Sequence, residues 1–506
     1  MKSARRTSGE RGASLILFTF LTFLVVIPLV GLAIDGGVVF WEKAKLSASA
    51  DGAALAAGRS LSAAQDCTSS NAIAQDIAAK YFQANFQPGT MGTTMASGSP
   101  YIPPLTCSQS GTRIITVDAT AIVPLFFLPL FGFRTTTISA HGQTARRDVN
   151  VMLVLDRSSS MNITGPDGKN VCQTMKSSAQ TFVNYFSDGR DQLGLVTFHA
   201  GVNLDYKPTK TFKSGSPSLS SVIGNLVCGS NTSSADALNL AYQTLSSPQY
   251  ALPGALNVIV FFTDGQPNGI YGDFPKLVAQ PTSPETRYDV APNYNNTVTA
   301  TTSGCTPTNL SGVIAQWAGG AVKTGDTEGV FNHTVNSISN GNPTFITASG
   351  CAFTANNNGK YMRRDLAYIP GTDHWGNSTI GYMTQNSDYV STGPNKSGPG
   401  AKTVALRVDV PQAVVDASFN AADAQAKTIR NDTSLNAVIY TIGLGGANDA
   451  PTESVFQTFL TRISNDASSP TYDPTRPAGL FVYSPNSTQL NAAFQRIASQ
   501  VLSISQ

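Results

Sequence analysis

Charged side chains are scarce in this sequence. They make up 13% of the 506 residues, and the formal net charge is +2. Proteins that bind DNA or RNA usually concentrate lysine and arginine on one surface, and the sequence has no such excess of positive charge. We therefore expect no nucleic-acid partner.

The motifs of several enzyme and metal-site classes are missing. No HExxH motif, Walker loop or dinucleotide-binding fingerprint occurs, and the four histidines lie in no recognisable hydrolase motif such as GxSxG. The six cysteines form no CxxC pair and lie close to no histidine, so the spacing of a zinc site is absent as well. These absences favour a protein that is not an enzyme.

The cysteines fit disulfide bonds better than a metal site. An even number of cysteines is typical of proteins exported to an oxidising compartment. We expect pairing in chain order, because each pair then closes one local region, although the sequence leaves the other connectivities open. The expected pairs are Cys67 with Cys107, Cys172 with Cys228, and Cys305 with Cys351.

One long apolar run lies near the N-terminus. Residues 13–34 carry no charge, and about 20 apolar residues are enough for a helix to cross the hydrocarbon core of a bilayer. We predict a transmembrane helix here rather than a cleaved signal peptide, whose apolar region is usually about 7–15 residues long. Residues 1–12 carry four basic side chains, which favour a cytoplasmic tail and place the rest of the chain outside.

The helix is expected to continue beyond the membrane, because small and apolar residues follow at a spacing of three to four. A narrow face of this kind packs closely against another helix, another subunit or the next segment of the chain. The residues on this face are Leu46, Ala50, Ala53, Ala54 and Ala57.

Three sequence segments around the run carry a family resemblance. They are Arg-Gly-Ala before it, Gly-Leu-Ala-Ile-Asp-Gly-Gly at its end, and Lys-Leu-Ser-Ala-Ser-Ala-Asp-Gly-Ala-Ala-Leu-Ala-Ala-Gly after it. Residues 8–60 thereby resemble the N-terminal region of TadG-like proteins of the tight-adherence (Flp) pilus system. The resemblance implies a single-pass protein of the bacterial inner membrane that works with pilus-assembly or envelope proteins, with most of its chain in the periplasm or at the cell surface.

Residues 35–147 predict a TadG-like helix followed by a small α+β stalk region. Helical spacing within 71–86 indicates a short amphipathic helix. Alternation of apolar and polar residues within 113–124 and 135–145 indicates two half-buried strands.

The run between these strands, residues 123–133, is strongly apolar. It is too short to span a bilayer and is interrupted by Pro124 and Pro129. We expect it to pack in the core of the stalk region, with contact to a membrane surface as the alternative.

Residues 148–506 predict a doubly wound α/β domain with a mostly parallel sheet and helices on both faces. Residues 150–155 and 258–262 are near-continuous apolar runs, as expected for central parallel strands. A C-terminal helix is expected after Asn486, a residue type that caps helices. Further strands are predicted from 193 and 437, and helical spacing occurs within 175–186, 238–245, 455–463 and 490–501.

Oxygen-bearing side chains stand just beyond both apolar runs. Asp156, Ser158 and Ser160 come after the first, Asp264 comes after the second, and Thr232 precedes the helix between them. In open α/β sheets ligands bind in the crevice at the carboxyl ends of the strands, so we expect these side chains to meet there. Carboxylate and hydroxyl oxygens are the ligands that hard divalent cations take.

The DxSxS sequence, the loop threonine and the Thr-Asp-Gly sequence together resemble the metal-ion-dependent adhesion site of von Willebrand factor A (VWA) domains. The resemblance implies that Asp156, Ser158, Ser160, Thr232 and Asp264 hold Mg²⁺, or Mn²⁺ or Ca²⁺ in its place. It also implies that a protein ligand offers an acidic group to the metal. The alternatives to Thr232 are Ser230, Ser233 and Ser234.

A long polar segment, residues 266–405, interrupts the predicted VWA domain directly after the loop that carries Asp264. It is rich in Asn, Gly, Thr and Tyr and shows little periodicity. Loops beside the binding face of a rigid scaffold often carry function, so this insertion is a candidate for partner recognition, with a surface excursion as the alternative.

The sequence as a whole predicts a membrane-anchored envelope protein that supports Flp pilus assembly or surface adhesion through metal-dependent protein binding. Two alternatives stay open. One is a surface adhesin that acts independently of a pilus, and the other is a metal-assisted hydrolase that uses a serine of the DxSxS sequence.

Overall fold

The structure is a computed structural model that describes residues 8–61, 67–107, 112–274, 310–316, 327–334, 346, 368–383, 408, 411–445 and 453–505. The chain divides into two compact units, and the division falls between Arg147 and Asp148. Each unit has a hydrophobic core of its own.

A long helix begins the first unit. It consists of α1 (Ser8–Leu21), a π-helical turn (Thr22–Val26) and α2 (Ile27–Ser60). Pro28 has no N–H group to donate to the preceding turn, which accounts for the local change in the helical hydrogen bonding. The helix over Leu15–Ser60 is long and apolar enough to cross a membrane, which agrees with the predicted span and with its continuation as a helix.

The rest of the first unit is a helix and an antiparallel sheet. They comprise α3 (Cys67–Asn85), β1 (Thr94–Met95), β2 (Thr106–Cys107), β3 (Thr112–Pro124) and β4 (Thr135–Arg147). Strand β3 pairs with each of the other three strands. Alternate side chains of β3 are buried against the small residues of α2 and against α3, so the predicted α+β region and its narrow helix face are confirmed.

Residues 125–134 connect β3 to β4 and are called the hairpin tip below. Core packing was expected for residues 123–133, and the structure contradicts it beyond β3. Val123 is buried, whereas Phe126, Leu130, Phe131 and Phe133 are exposed. The reason is that the two strands extend past the core of the first unit, so the tip lies beyond it.

The second unit contains both strands and helices. Its strands are β5 (Val149–Asp156), β6 (Gln192–Phe198), β7 (Val202–Thr209), β8 (Leu256–Thr263), β9 (Gly269–Phe274), β10 (Leu310–Gln316), β11 (Thr327–Phe331), β12 (Val438–Leu444) and β13 (Phe481–Ser484). Its helices are α4 (Val171–Asn184), α5 (Leu219–Gly224), α6 (Ser234–Ser246), α7 (Pro411–Asn431), α8 (Glu453–Ser464) and α9 (Leu490–Ile504).

Six strands form the central sheet in the order β13-β12-β8-β5-β6-β7. All neighbours are parallel except β7, which runs antiparallel to β6 at the edge. Side chains of β5 alternate between two hydrophobic layers: Met152 and Val154 pack with α6, α7 and α8, whereas Val151 and Leu153 pack with α4, α5 and α9. The predicted doubly wound sheet with helices on both faces is confirmed.

Part of the polar insertion is built into this unit. Strands β9, β10 and β11 form a separate antiparallel sheet, and Ile270, Phe274, Ile314 and Val330 join the hydrophobic layer that contains α6 and α7. The described part of residues 266–405 is therefore more ordered than its composition indicated. The role of the insertion in partner recognition stays a prediction.

The structure tests part of the disulfide prediction. Cys172 and Cys228 are bonded to each other, as expected. Cys107 is also disulfide-bonded. Cys305, Cys351 and the side chain of Cys67 lie outside the described residues, so the other two expected pairs stay predictions.

Candidate metal-binding site

The candidate site lies where two neighbouring strands of the central sheet end. Strand β5 ends at Asp156, and Asp264 follows directly on the end of β8. The two strands are parallel, and Leu155 lies beside Phe262. Their carboxyl ends therefore meet at one edge of the sheet, as the sequence predicted.

Hydrogen bonds join four of the five predicted ligands. The hydroxyl oxygens of Ser158 and Ser160 lie 2.8 Å apart, and the Ser160 hydroxyl donates to Oδ1 of Asp264 at 2.7 Å. The backbone N–H of Ser158 donates to Oδ1 of Asp156 at 2.8 Å. Two loops that are far apart in sequence thus place carboxylate and hydroxyl oxygens in one cluster.

Thr232, the fifth predicted ligand, lies on the neighbouring loop before α6. In the described structure its hydrogen bonds run through its backbone: its N–H donates to Oδ1 of Asn268 at 2.7 Å, and its carbonyl accepts the N–H groups of Asn268 and Gly269. The same loop contacts the DxSxS segment where the N–H of Ser159 donates to the carbonyl of Ser230. The structure therefore places Thr232 beside the cluster without joining its hydroxyl to the other four residues.

Thr263 is part of the site, and the sequence did not assign it a role. Its hydroxyl donates to Oδ2 of Asp156 at 2.5 Å. Burial raises the pKa of Asp156 to about 6, whereas the hydrogen bonds from Thr263 and Ser158 act to lower it. Thr263 thus stabilises the charged form of a carboxylate that is fully shielded from solvent.

The donor set fits a hard divalent cation. It contains two carboxylates and two hydroxyls, all with oxygen as the donor atom and with no nitrogen or sulfur among them. No group of three or more His, Cys, Asp or Glu side chains is placed to hold a metal in the part of the chain that is described, so a site here depends on the serine hydroxyls as well. Mg²⁺ is commonly bound by one or two carboxylates with water completing the shell.

A pocket of about 280 Å³ opens beside Asp264. Its other walls come from the loop after β5, the end of β12 and the segment before α9, so it lies at the carboxyl edge of the same sheet. The candidate site thus borders a cavity on the side of Asp264.

His199 lies near the site but is held as a structural residue. It follows β6, it is fully buried, and its Nδ1 accepts the N–H of Gly201 at 2.9 Å. Burial and the neighbouring charge of Arg157 lower its pKa to about 3, so the imidazole is neutral near pH 7. This placement agrees with the packing role that is usual for a histidine after a buried strand.

Two models of known protein families match parts of this chain. The model described as von Willebrand factor type A domain matches residues 151–266, which include most of β5, all of β8 and all five predicted ligands. The chain contains a VWA domain. A second model, described as Flp pilus-assembly TadE/G-like, matches residues 12–65, which cover the apolar helix and its continuation beyond the predicted span. No curated protein matches the chain.

Solved structures of three pilus proteins are similar to the chain at low identity. The vWF domain of the type V pili tip protein Mfa5 from Porphyromonas gingivalis is 15% identical with a TM-score of 0.36, covering 72% of this chain and 98% of that one. The PilB minor pilin from Streptococcus sanguinis is 14% identical with a TM-score of 0.38, at 82% and 79% coverage. The pilus adhesin SpaC from Lactobacillus rhamnosus GG is 10% identical with a TM-score of 0.35, at 79% and 34% coverage.

Proposed function

We propose that this chain is a single-pass envelope protein whose VWA domain binds a protein ligand through a divalent cation, in support of Flp pilus assembly or surface adhesion. The observation that carries the proposal is the cluster formed by Asp156, Ser158, Ser160 and Asp264 at one edge of the sheet. A binding role for the VWA domain accounts for a site with oxygen donors and an adjoining open pocket.

The cation is Mg²⁺, with Mn²⁺ or Ca²⁺ as substitutes, and Thr232 contributes from the neighbouring loop. When bound, the cation offsets the two carboxylate charges and attracts an acidic group of the protein ligand. The protein supplies the rest: Thr263 fixes the orientation of Asp156, and Ser160 fixes that of Asp264. The site thus recognises a carboxylate at a defined position.

The N-terminal helix supports the envelope location. It is apolar over residues 13–34, and the TadE/G-like match covers the same segment. The basic residues before the span favour an N-terminus in the cytoplasm and a VWA domain in the periplasm or at the cell surface. Pilus-assembly and envelope proteins are therefore the proposed partners.

The hydrogen bonding of the serines favours binding over hydrolysis. A serine nucleophile needs a base within hydrogen-bond reach. The carboxylate that accepts the Ser160 hydroxyl belongs to Asp264, which is itself a proposed metal ligand and would be held by the cation rather than act as that base. The Nδ1 atom of His199 is engaged with Gly201. A purified protein that hydrolysed an ester or a phosphate, and lost this activity with Asp264→Ala, would instead support the hydrolase.

A pull-down tests metal-dependent binding. The full-length protein is purified in detergent, incubated with an envelope extract in Mg²⁺ or in chelator, and the captured proteins are identified. We expect at least one partner that is retained in Mg²⁺, released by chelator and absent with Asp264→Asn. Asp167→Asn, which changes an exposed carboxylate in the loop between β5 and α4, is the matched control and should behave as the wild type.

The outcome also separates the two binding roles. Capture of inner-membrane pilus-assembly proteins supports a role in assembly, whereas recovery of the chain at the cell surface without them supports the free-standing adhesin. Partners that appear equally in Mg²⁺ and in chelator would contradict a metal-bridged contact.

A further inference from the structure

The hairpin tip presents apolar side chains that the first unit does not bury. The exposed fractions are 54% for Phe126, 78% for Leu130, 57% for Phe131 and 64% for Phe133. Contiguous exposed apolar side chains of this kind mark a site of interaction with a protein or a membrane. The position of the tip on α2 distinguishes these two possibilities.

The hairpin tip is fixed to α2 at the end of the predicted span. The carboxylate of Asp35 accepts the backbone N–H groups of Phe126 at 2.8 Å, Phe127 at 3.0 Å and Leu128 at 2.8 Å. One helical turn earlier, Phe127 packs onto Gly31, where an added Cβ atom would lie 2.6 Å from the Cβ of Phe127. Asp35 is buried by these contacts, so the tip is held at a defined level of the helix.

The hairpin approaches the span along α2. The residues of β4 that are farthest from the tip contact the C-terminal part of α2. Residues nearer to the tip contact earlier positions of the helix. The contacting pairs, in this order, are Thr144 with Gly58, Gly142 with Ala50, Ser139 with Lys43, Phe126 with Asp35, and Phe127 with Gly31. The tip is therefore the part of the β3–β4 hairpin that lies nearest to the apolar run.

The contact with Gly31 places the hairpin tip beside the apolar run that is predicted to span the membrane. Gly31 lies inside the run 13–34, about 4.5 Å before its end, because a helix rises about 1.5 Å per residue. Neighbouring apolar side chains of the helix at this level, such as Leu29 and Leu32, are exposed in the same way as those of the tip. Trp41 is exposed about two turns beyond the end of the run, and tryptophan is enriched at the interface between membrane and water.

We propose that the hairpin tip inserts into the bilayer leaflet that surrounds the C-terminal end of the span, so that the first unit is attached to the membrane at two points. The proposal rests on the membrane anchor of the proposed function. Lipid is favoured over a protein partner because the exposed apolar side chains of the tip lie at the same level along α2 as exposed apolar side chains of the span. A bilayer that covers the span would therefore also cover the tip. Two points of attachment restrict the rotation and tilt of the first unit, which a single helix leaves free.

Fluorescence quenching by lipids tests the insertion. The full-length protein is reconstituted at a low protein-to-lipid ratio in vesicles of phosphatidylcholine and phosphatidylglycerol. A polarity-sensitive fluorophore is attached to one introduced cysteine, Phe131→Cys in the tip, Gln143→Cys on the exposed side of β4, or Phe23→Cys in the span. We expect lipids with a nitroxide in the acyl chain to quench the labels at 131 and 23, and to leave the label at 143 unquenched.

Each outcome decides between named possibilities. Quenching at 23 without quenching at 131 or at a second tip position, Phe133→Cys, would overturn the insertion and leave the anchor intact. Absence of quenching at 23 would overturn the anchor and the insertion together. A label at 131 that is shielded from lipid but self-quenches between labelled copies would assign the tip to contact with a second copy of this chain, which also overturns the proposal.

Discussion

At the scale of residues, the candidate site depends on how a buried carboxylate is stabilised. The motif positions Asp156, Ser158, Ser160 and Asp264 were predictable because each follows an apolar run that had to be a central strand. The contribution of Thr263 was not, because its bond to Asp156 depends on the side-by-side register of β5 and β8, which a single sequence does not reveal. The sequence located the clustered side chains of the candidate site but not the donor that supports one of them.

Replacing Thr263 tests this support. Thr263→Val keeps the shape of the side chain and removes the hydroxyl, so the buried carboxylate of Asp156 loses one donor. We expect the free energy of unfolding to fall by about 1–3 kcal/mol, the usual cost of leaving a buried polar group without a partner. Denaturant unfolding measures the change, and Thr263→Ser, which keeps a hydroxyl, is the control. Equal stability of the two variants would show that the bond does not stabilise the domain.

At the scale of elements, apolar runs predicted the central strands of the sheet. The strands of the polar insertion, β9 to β11, were not predicted, because their sequence shows little periodicity. Strands β9 and β10 pair although 35 residues separate them in the sequence, and their register depends on contacts between residues that are remote in sequence. The hairpin tip shows the opposite error: its composition favoured burial, but the lengths of β3 and β4 carry it past the core. The C-terminal helix was predicted well, because Asn486 caps the preceding turn and the apolar side chains of α9 are buried at helical spacing.

The disulfide between Cys172 and Cys228 connects α4 to the loop beside the candidate site. The carbonyl of Cys228 accepts a hydrogen bond from the side chain of Asn162 at 2.8 Å, and Gly229 donates to the carbonyl of Arg157 at 2.7 Å. Both hydrogen bonds lie within a few residues of Ser158 and Ser160. A more mobile loop should therefore disturb the position of the DxSxS segment as well.

Removing this disulfide should destabilise the VWA domain. The two cysteines are 56 residues apart, and closing a loop of this length in the unfolded chain corresponds to about 4 kcal/mol. We expect the variant with Cys172→Ser and Cys228→Ser to lose stability of this order in urea unfolding, and to bind Mg²⁺ more weakly than the wild type. A variant with unchanged stability and unchanged affinity would mean that the disulfide does not position the loop.

At the scale of the whole molecule, an apolar helix precedes a VWA domain in one chain. The apolar length of residues 13–34 was sufficient to predict the long apolar helix. Its orientation in a membrane, which rests on the basic residues before it, stays a prediction. The order of the ligand segments along the chain was sufficient to predict the VWA domain, because these segments recur at fixed places in its sheet. The partner was not predictable, because the proposed metal site would accept any suitably placed acidic group and the surface around it would decide the choice.

Binding of Mg²⁺ by the VWA domain is tested most directly by thermal unfolding of the full-length protein in detergent, with Mg²⁺ titrated from chelator to millimolar excess. A cation that binds only the folded domain stabilises it by about 2.7 kcal/mol at one hundred times its dissociation constant, so the transition of the VWA domain should move to higher temperature. The shift should vanish in Asp264→Asn and persist in Asp167→Asn. A wild-type transition that stays at the same temperature in chelator and in millimolar Mg²⁺, Mn²⁺ and Ca²⁺ would contradict the metal site.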